Sequence, residues 1–359
     1  MDLAQEKMDK HAIMYRNLSQ VDLIKSGAFS LPMALKALKR SLIQFRDGEI
    51  LFPEKIVQVF NEETNERINC LPATLLKEKL CGVKWVSVFP PNPARFGTQN
   101  LSAIITLSSI ENGYPVCVMD GTLCSNMRVA AVGALAADLL ARKDVESIGF
   151  IGAGEQAKMH LLGMKTVRPN LKICRVAAKT KEDERIFVES LKPLLPDMEF
   201  VACNTILEDA IRDSDIIVTA TSAQAPLLKP EWIKKGAFYS HVGGYECDYK
   251  VIQMADKLVC DDWGVVKHRL STITRVYKAG LITDDDISGN LVEILDGSRP
   301  ARENDDEFIV FSAAGLSYVD IAIAHDMFRR AEEKNAGKVV PLQEKMVFEH
   351  ENLKEYVEI

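Results

Sequence analysis

Ile148-Gly149-Phe150-Ile151-Gly152-Ala153-Gly154-Glu155-Gln156-Ala157 runs from a short apolar segment into Gly-x-Gly-x-x-Ala and then into a helical pattern. Gly152 lets the chain turn tightly after a strand. Gly154 lets the backbone approach a pyrophosphate held by the free N–H groups of the next helix's first turn. Ala157 permits close packing of that helix on the strand. Such a hexapeptide alone also serves ordinary strand-to-helix turns, so its surroundings decide its meaning.

Those surroundings alternate. The sequence predicts a strand at Ile148–Ile151, a helix to about Val167, a strand at Ile173–Ala177, a helix through Ile186–Leu191 and strands around Phe200–Ala202 and Asp215–Ala220. Two further short strands are read at Phe238–His241 and Lys257–Cys260. This βαβαβ rhythm points to an α/β, Rossmann-type, doubly wound parallel sheet. Roughly the first 120 residues read differently, with a helix at Leu31–Phe45 and short segments at Ile56–Phe60, Val83–Val88, Ala103–Leu107 and Pro115–Met119. Glu111-Asn112-Gly113 supplies a turn between the last two, which suggests a second, α+β domain with a mainly antiparallel sheet. An Ala-rich helix from Ser125 to Ala141, with Ser125 as its N-cap, links the two patterns. A last helix, Val319–Ala331, follows the nucleotide pattern and is expected to return to the first domain.

Composition narrows the function. The chain has 359 residues, 47% of them hydrophobic and 26% charged, with a formal net charge of −7, so nucleic acid is not an expected partner. No apolar run approaches the ~18 residues of a membrane span. The stretch Met1-Asp2-Leu3-Ala4-Gln5-Glu6-Lys7 lacks the apolar core of a signal peptide, and the reading is cytoplasmic. The eight cysteines form no Cys-x-x-Cys pair and read as buried free thiols, and no histidine spacing asks for a metal.

Several separated segments together resemble the ornithine cyclodeaminase / mu-crystallin family. They are Gly82-Val83-Lys84-Trp85, Asn112-Gly113-Tyr114-Pro115, Met119-Asp120 with Met127-Arg128-Val129-Ala130-Ala131, the glycine turn, and Asp215-Ile216-Ile217-Val218-Thr219-Ala220-Thr221. Ala255-Asp256-Lys257 with Asp261-Asp262-Trp263, and Asp305-Asp306-Glu307 leading to Phe311-Ser312-Ala313-Ala314-Gly315, complete the set over roughly residues 15 to 335. The resemblance implies a substrate-binding and dimerisation domain from both chain ends, here 1–124 with 319–359. It implies a Rossmann dinucleotide-binding domain at 125–318, a bound nicotinamide cofactor and a homodimer. Members act on amino acids through imine chemistry. The wording around Lys84-Trp85 and Asp261-Asp262-Trp263 looks closest to the dehydrogenase that processes an N-linked amino-acid adduct in 2,3-diaminopropionate biosynthesis.

An amino-acid substrate needs its carboxylate fixed, and an arginine offers a planar bidentate grip. Arg128 matches the family's carboxylate-binding arginine. Lys84 lies in an otherwise apolar strand, where an unpaired ammonium is costly; in family members this lysine also helps polarise the imine or the attacking water. Lys55 stands close to a further basic contact of relatives, and Asn100 or Ser102 close to a small hydroxyl. Cyclodeaminases carry an aspartate acid/base directly after the Gly-x pair, but here Val242-Gly243-Gly244 is followed by Tyr245, leaving Glu246 or Asp248 as substitutes. Val129 also departs from the threonine of many relatives.

For the cofactor, the expected contacts are Gly152, Ala153, Gly154, Glu155 and Gln156 at the pyrophosphate, with Thr219, Ala220, Thr221 and Ser222 on the nicotinamide-ribose side. Val242 and Gly243 are expected as backbone beside the nicotinamide. The second strand ends in Val176-Ala177-Ala178-Lys179-Thr180-Lys181, with cations where an NAD-binding carboxylate would stand. Lys179 and Thr180 align with an Arg-Thr motif of mu-crystallin-like members, which favours NADP(H), with NAD(H) as the alternative. The leading expectation is therefore an NAD(P)-dependent oxidoreductase, an amino-acid or N-adduct dehydrogenase or ketimine reductase. A cyclodeaminase-type lyase that recycles its NAD and an NADPH-binding mu-crystallin-like protein are the alternatives.

Overall fold

The computed structural model describes residues 12–345 and 357–358. The charged stretch Met1–Lys7, read above for targeting, lies outside them. The chain folds into two compact units. One holds the described residues of Met1–Phe29, Gly48–Cys124 and Asp320–Ile359, and the other Ser30–Asp47 and Ser125–Val319.

The first unit is built on β1 (Ile13–Leu18), β2 (Ile50–Leu51), β3 (Ile56–Asn61), β4 (Glu66–Leu75), β5 (Leu80–Val88), β6 (Leu101–Ser109) and β7 (Pro115–Asp120). Starting from the strand Lys338–Gln343, the order across the sheet is β1, β7, β6, β5, β4 and β2, with β3 also on β4. Every ladder is antiparallel except the parallel pair β1 and β7. The side-chain period of two sets the core. Gly82, Lys84 and Val86 of β5 are buried in the row that also takes Ala103, Ile105 and Leu107 of β6, while Trp85 and Ile104 face outward. At the β6–β7 turn Gly113 has φ +79°, and the Asn112 side chain accepts from the Tyr114 N–H at 3.0 Å.

The second unit carries β8 (Ser147–Ile151), β9 (Ile173–Ala177), β10 (Glu199–Ala202), β11 (Ile216–Thr219), β12 (Gln224–Leu228), β13 (Phe238–His241), β14 (Tyr245–Cys247), β15 (Lys257–Cys260), β16 (Ile287–Asn290) and β17 (Ile309–Ser312). Eight of these form one sheet in the order β10-β9-β8-β11-β13-β17-β15-β16, with every ladder parallel. All residues of β8, β11, β13 and β17 are buried, as strands covered on both faces must be. The order reverses between β8 and β11, and at such a switch point ligands bind beyond the carboxyl ends of the strands. β12 and β14 pair separately.

Two expectations need correction. The helix Leu31–Arg46 belongs to the second unit. Phe45 stacks on Tyr318 at 4.9 Å, and Arg46 pairs with Asp296 at 3.2 Å. Ser125 is not an N-cap, because the Ala-rich helix starts at Thr122, where the Asp120 carboxylate accepts from the Leu123 N–H at 3.1 Å. Ser125 is buried within that helix. The helix, Thr122–Leu140, is apolar and long enough to cross a membrane, but it is mostly buried inside the protein. Its Gly133 and Ala130 lie against His160 and Gly163 of the helix Glu155–Val167. Small residues here serve close helix packing.

Candidate functional site

β8 delivers the chain to Gly152, whose φ of +105° favours glycine. Its N–H donates to the Ala177 carbonyl at 2.8 Å, and a Cβ would lie 2.5 Å from the Ala220 carbonyl oxygen. The turn is thus stitched to the ends of both neighbouring strands, β9 and β11. Gly154 is the N-cap of the helix Glu155–Val167 and has no side chain to cap it, and a Cβ there would meet open space. A helix start with uncapped N–H groups and a bare backbone suits a pyrophosphate. Asn126 braces the first turn, donating to Glu155 at 3.2 Å and accepting from Gln156 at 2.6 Å.

After β9, Lys179, Thr180 and Lys181 are exposed. Thr180 caps the helix Lys181–Leu191, accepting from the Asp183 N–H at 3.1 Å. Arg185 holds Glu182 at 2.6 Å. The fully buried Glu184 accepts from the N–H groups of Ala178 at 3.0 Å and Thr205 at 2.7 Å. Sequence reasoning misses Glu184, since an acid in a helical first turn reads as a solvated residue.

Beyond β13 the chain makes a tight turn closed by Glu246. This fully buried carboxylate accepts from the Thr219 hydroxyl (2.8 Å), the Thr221 N–H (2.5 Å) and hydroxyl (2.7 Å), and the Gly243 N–H (2.7 Å). Burial pushes its pKa up, and the Thr221, Thr219 and Gly243 hydrogen bonds oppose that rise. A Cβ on Gly243 would overlap this carboxyl, which explains the glycine. Glu246 ties the ends of β11 and β13 together. Asp248, the other candidate acid, caps the helix Tyr249–Gln253 through the Lys250 N–H at 2.9 Å. Tyr245 lies under the Arg275 guanidinium, 4.8 Å from its ring centre.

His241, at the end of β13, is buried 3.7 Å from Glu246 and 3.3 Å from the Ser312 hydroxyl. Burial first, and the Arg269 charge second, lower its pKa to about 3, so the ring is neutral at physiological pH. Arg269 donates to the carbonyls of Ala313 and Val242, joining the loops that leave β17 and β13. Asp261 shapes the first of these loops. Its buried carboxylate accepts from Ala314 at 2.9 Å and Gly315 at 2.7 Å, and burial raises its pKa against those bonds. Gly315 has φ +85°, and the Arg128 guanidinium occupies the space a Cβ would need. The guanidinium of Arg128, carried by the helix Thr122–Leu140, therefore sits on the loop leaving β17, next to β13, whose own loop is the Gly243 turn.

In the first unit, Lys84 donates to Asp320 at 2.6 Å, and both side chains are at most 2% exposed. Asp320 is not among the residues expected from the sequence; 236 positions separate it from Lys84, and no local pattern links them. Lys55 is exposed between β2 and β3. Ser102 is exposed, and the Asn100 side-chain oxygen is buried without a hydrogen-bond partner. Among the described residues no group of three His, Cys, Asp or Glu side chains is placed to hold a metal ion.

The profile of the ornithine cyclodeaminase/mu-crystallin family matches residues 16–335. The chain belongs to that family. It is 27% identical over 329 residues to the N-((2S)-2-amino-2-carboxyethyl)-L-glutamate dehydrogenase of Staphylococcus aureus, a match covering 90% of this chain and 98% of that protein. With the alanine dehydrogenase of Archaeoglobus fulgidus it shares 30% identity over 316 residues, 87% of this chain and 94% of the relative. Its fold superposes with a TM-score of 0.86 on the Thermococcus litoralis Delta(1)-pyrroline-2-carboxylate reductase in complex with NADH and L-proline, at 29% identity over 90% of this chain and 100% of that one. At the turn after β13 of this chain, Tyr245 follows the glycines and Glu246 is enclosed by four donors.

Proposed function

We propose that this protein is an NAD(P)-dependent oxidoreductase acting on the C–N bond of an amino acid or its imine, as an amino-acid or N-adduct dehydrogenase or ketimine reductase. The observation that carries this reading is the pairing, in one unit, of an uncapped glycine turn at the sheet's switch point with an arginine seated on the Gly315 loop. A bound nicotinamide nucleotide supplies the two-electron redox partner. Gly152, Ala153, Gly154, Glu155 and Gln156 are assigned to its pyrophosphate, and Val242, Gly243 and the backbone of Thr219, Ala220 and Thr221 to its nicotinamide end. Lys179 and Thr180 favour the phosphorylated cofactor, NADP(H), through the positive charge on an exposed turn that lacks an uncommitted acid. Arg128 is assigned to the substrate carboxylate, with Lys55 and Asn100 as further contacts, and the Lys84–Asp320 pair to holding a proton for the substrate nitrogen.

The loop acids have a different assignment. Glu246, fully enclosed, positions the turn instead of exchanging protons, and Asp248 holds a helix start. Lacking a proton-relaying carboxylate after the glycines, the protein is assigned net redox turnover instead of cyclodeaminase recycling. The deciding experiment follows NAD(P)H absorbance with amino-acid and imine substrates. Stoichiometric change is expected, with an about 10–100-fold weaker amino-acid interaction in Arg128→Ala at unchanged nucleotide affinity. Conversion of ornithine to proline and ammonia with only catalytic nucleotide would overturn the assignment.

A homodimer is part of this reading. Ile56, Trp85 and Ile104 are 61%, 44% and 54% exposed, and Cys70 links them into one cross-strand row over β3, β4, β5 and β6. A large apolar row on a sheet face suits a second copy; a solution mass of two chains is the expected result. The eight free cysteines accord with a cytoplasmic location.

A further inference from the structure

We propose that Arg275 and Tyr245 form a subsite for a second carboxylate, so that the substrate is an amine carrying more than one carboxylate group. The inference rests on the oxidoreductase reading above and specifies its substrate class.

Arg275 belongs to the helix Thr272–Lys278, which is clamped to the glycine turn. The Thr272 N–H donates to the Gly244 carbonyl at 2.8 Å, and the Thr272 hydroxyl accepts from the Glu246 N–H at 3.2 Å. The guanidinium lies over the Tyr245 ring at 4.8 Å, its Nε is buried without a hydrogen-bond partner, and among the described residues no carboxylate pairs with it. Three other arginines at or near the ends of the sheet's strands are engaged by protein groups. Arg168 binds Asp138 and several carbonyls, Arg142 binds Asp144 and Asp215, and Arg269 binds two loop carbonyls. An aromatic platform fixes a guanidinium in place without cancelling its charge, which leaves the planar fork of N–H donors for an external anion.

The position matches the demand. Tyr245 opens β14 directly after Gly243-Gly244, the turn leaving β13, and the Arg128 guanidinium is seated on the loop leaving β17; β13 and β17 are adjacent, with His241 opposite Ser312. Arg269 joins the same two loops through Val242 and Ala313. Two cations thus serve neighbouring loops at the carboxyl end of the sheet. One carboxylate on a substrate satisfies Arg128 alone, and a second gives Arg275 its counter-ion.

The test is equilibrium titration of the NADPH-loaded full chain, read by nucleotide fluorescence, with L-alanine, L-glutamate and N-(1-carboxyethyl)-L-glutamate. Arg275→Met is expected to weaken binding of the two polycarboxylates roughly 10–100-fold and to leave L-alanine and NADPH affinity unchanged. Arg275→Lys, which keeps the charge without the planar fork, falls between and guards against misfolding of the methionine variant. Equal weakening of all three ligands, or polycarboxylates bound no more tightly than L-alanine by the unaltered protein, overturns the proposal. Because binding is read directly, failure here is separate from failure of the oxidoreductase reading, which turnover decides.

Discussion

Two glycine-bearing turns at the carboxyl end of the same parallel sheet are built on opposite principles. At Gly152 the constraint is backbone: a left-handed φ, a carbonyl from each neighbouring strand, and a helix start left uncapped. At Gly243 it is a side chain, since Glu246 fills the place of a Cβ and accepts the glycine's own N–H. The first turn is legible from its hexapeptide because regular strands always bring those carbonyls there. The second depends on a carboxylate whose partners, Thr219 and Thr221, lie 27 and 25 positions away. A turn made by backbone needs only its own residues and the strand ends beside it, whereas one made by a buried acid needs side-chain partners from another strand.

The sharpest way to break this contrast is to remove the acid. Glu246→Ala leaves four donors without their acceptor in a buried site and is expected to cost about 3–5 kcal/mol in denaturant unfolding. A loss below ~1 kcal/mol would mean that the second turn holds itself, as the first does.

The helix that follows the first turn and the strand that precedes the second each carry a buried histidine, and acid compares them. Burial lowers the pKa of His160, packed beside Gly133, to about 4, and that of His241 to about 3, both from 6.5. The unfolded chain therefore binds protons on these rings before the folded chain does. The stability they contribute is complete above pH 6.5 and is lost as pH falls, at roughly 1.4 kcal/mol per pH unit for each ring. Urea midpoints measured from pH 7 downward should fall less steeply in His160→Asn and in His241→Asn. The His160 share ends near pH 4 and the His241 share continues below it. Unchanged slopes in both variants would contradict the buried neutral rings.

The smallest effect is expected at the exposed turn after β9. Lys179→Asp should move preference from NADP toward NAD by about tenfold, or ~1.4 kcal/mol, in the ratio of the two dissociation constants. An unaltered ratio would detach Lys179 from the 2′-phosphate. Stability should not change, since Lys179 is exposed.

The same division runs through the rest of the molecule. Ile173–Ala177, Phe238–His241 and Lys257–Cys260 are strands over the residues expected from the sequence, because each is an apolar run bounded by polar or glycine signals. Ile287–Asn290 and Ile309–Ser312 escape that reading: the first is a polar edge strand, and the second runs without a break into Ala313-Ala314-Gly315. Helix Leu31–Arg46 is legible as a helix but not as part of the second unit, since its partners Asp296 and Tyr318 come from far along the chain.

Local order along the chain determined the Rossmann-type alternation, the antiparallel sheet, the glycine turn before an uncapped helix start and the cations after β9, because periodicity, glycine and helix starts act over a few residues. Only the tertiary structure decided what the charged groups do. It enclosed Glu246 among donors from the ends of two strands, set Asp320 against Lys84, placed Arg128 on Gly315 and laid Arg275 on Tyr245. Whether an ionisable side chain is a structural tie or a binding group depends on which partners burial brings to it, and those partners come from positions that no local pattern connects.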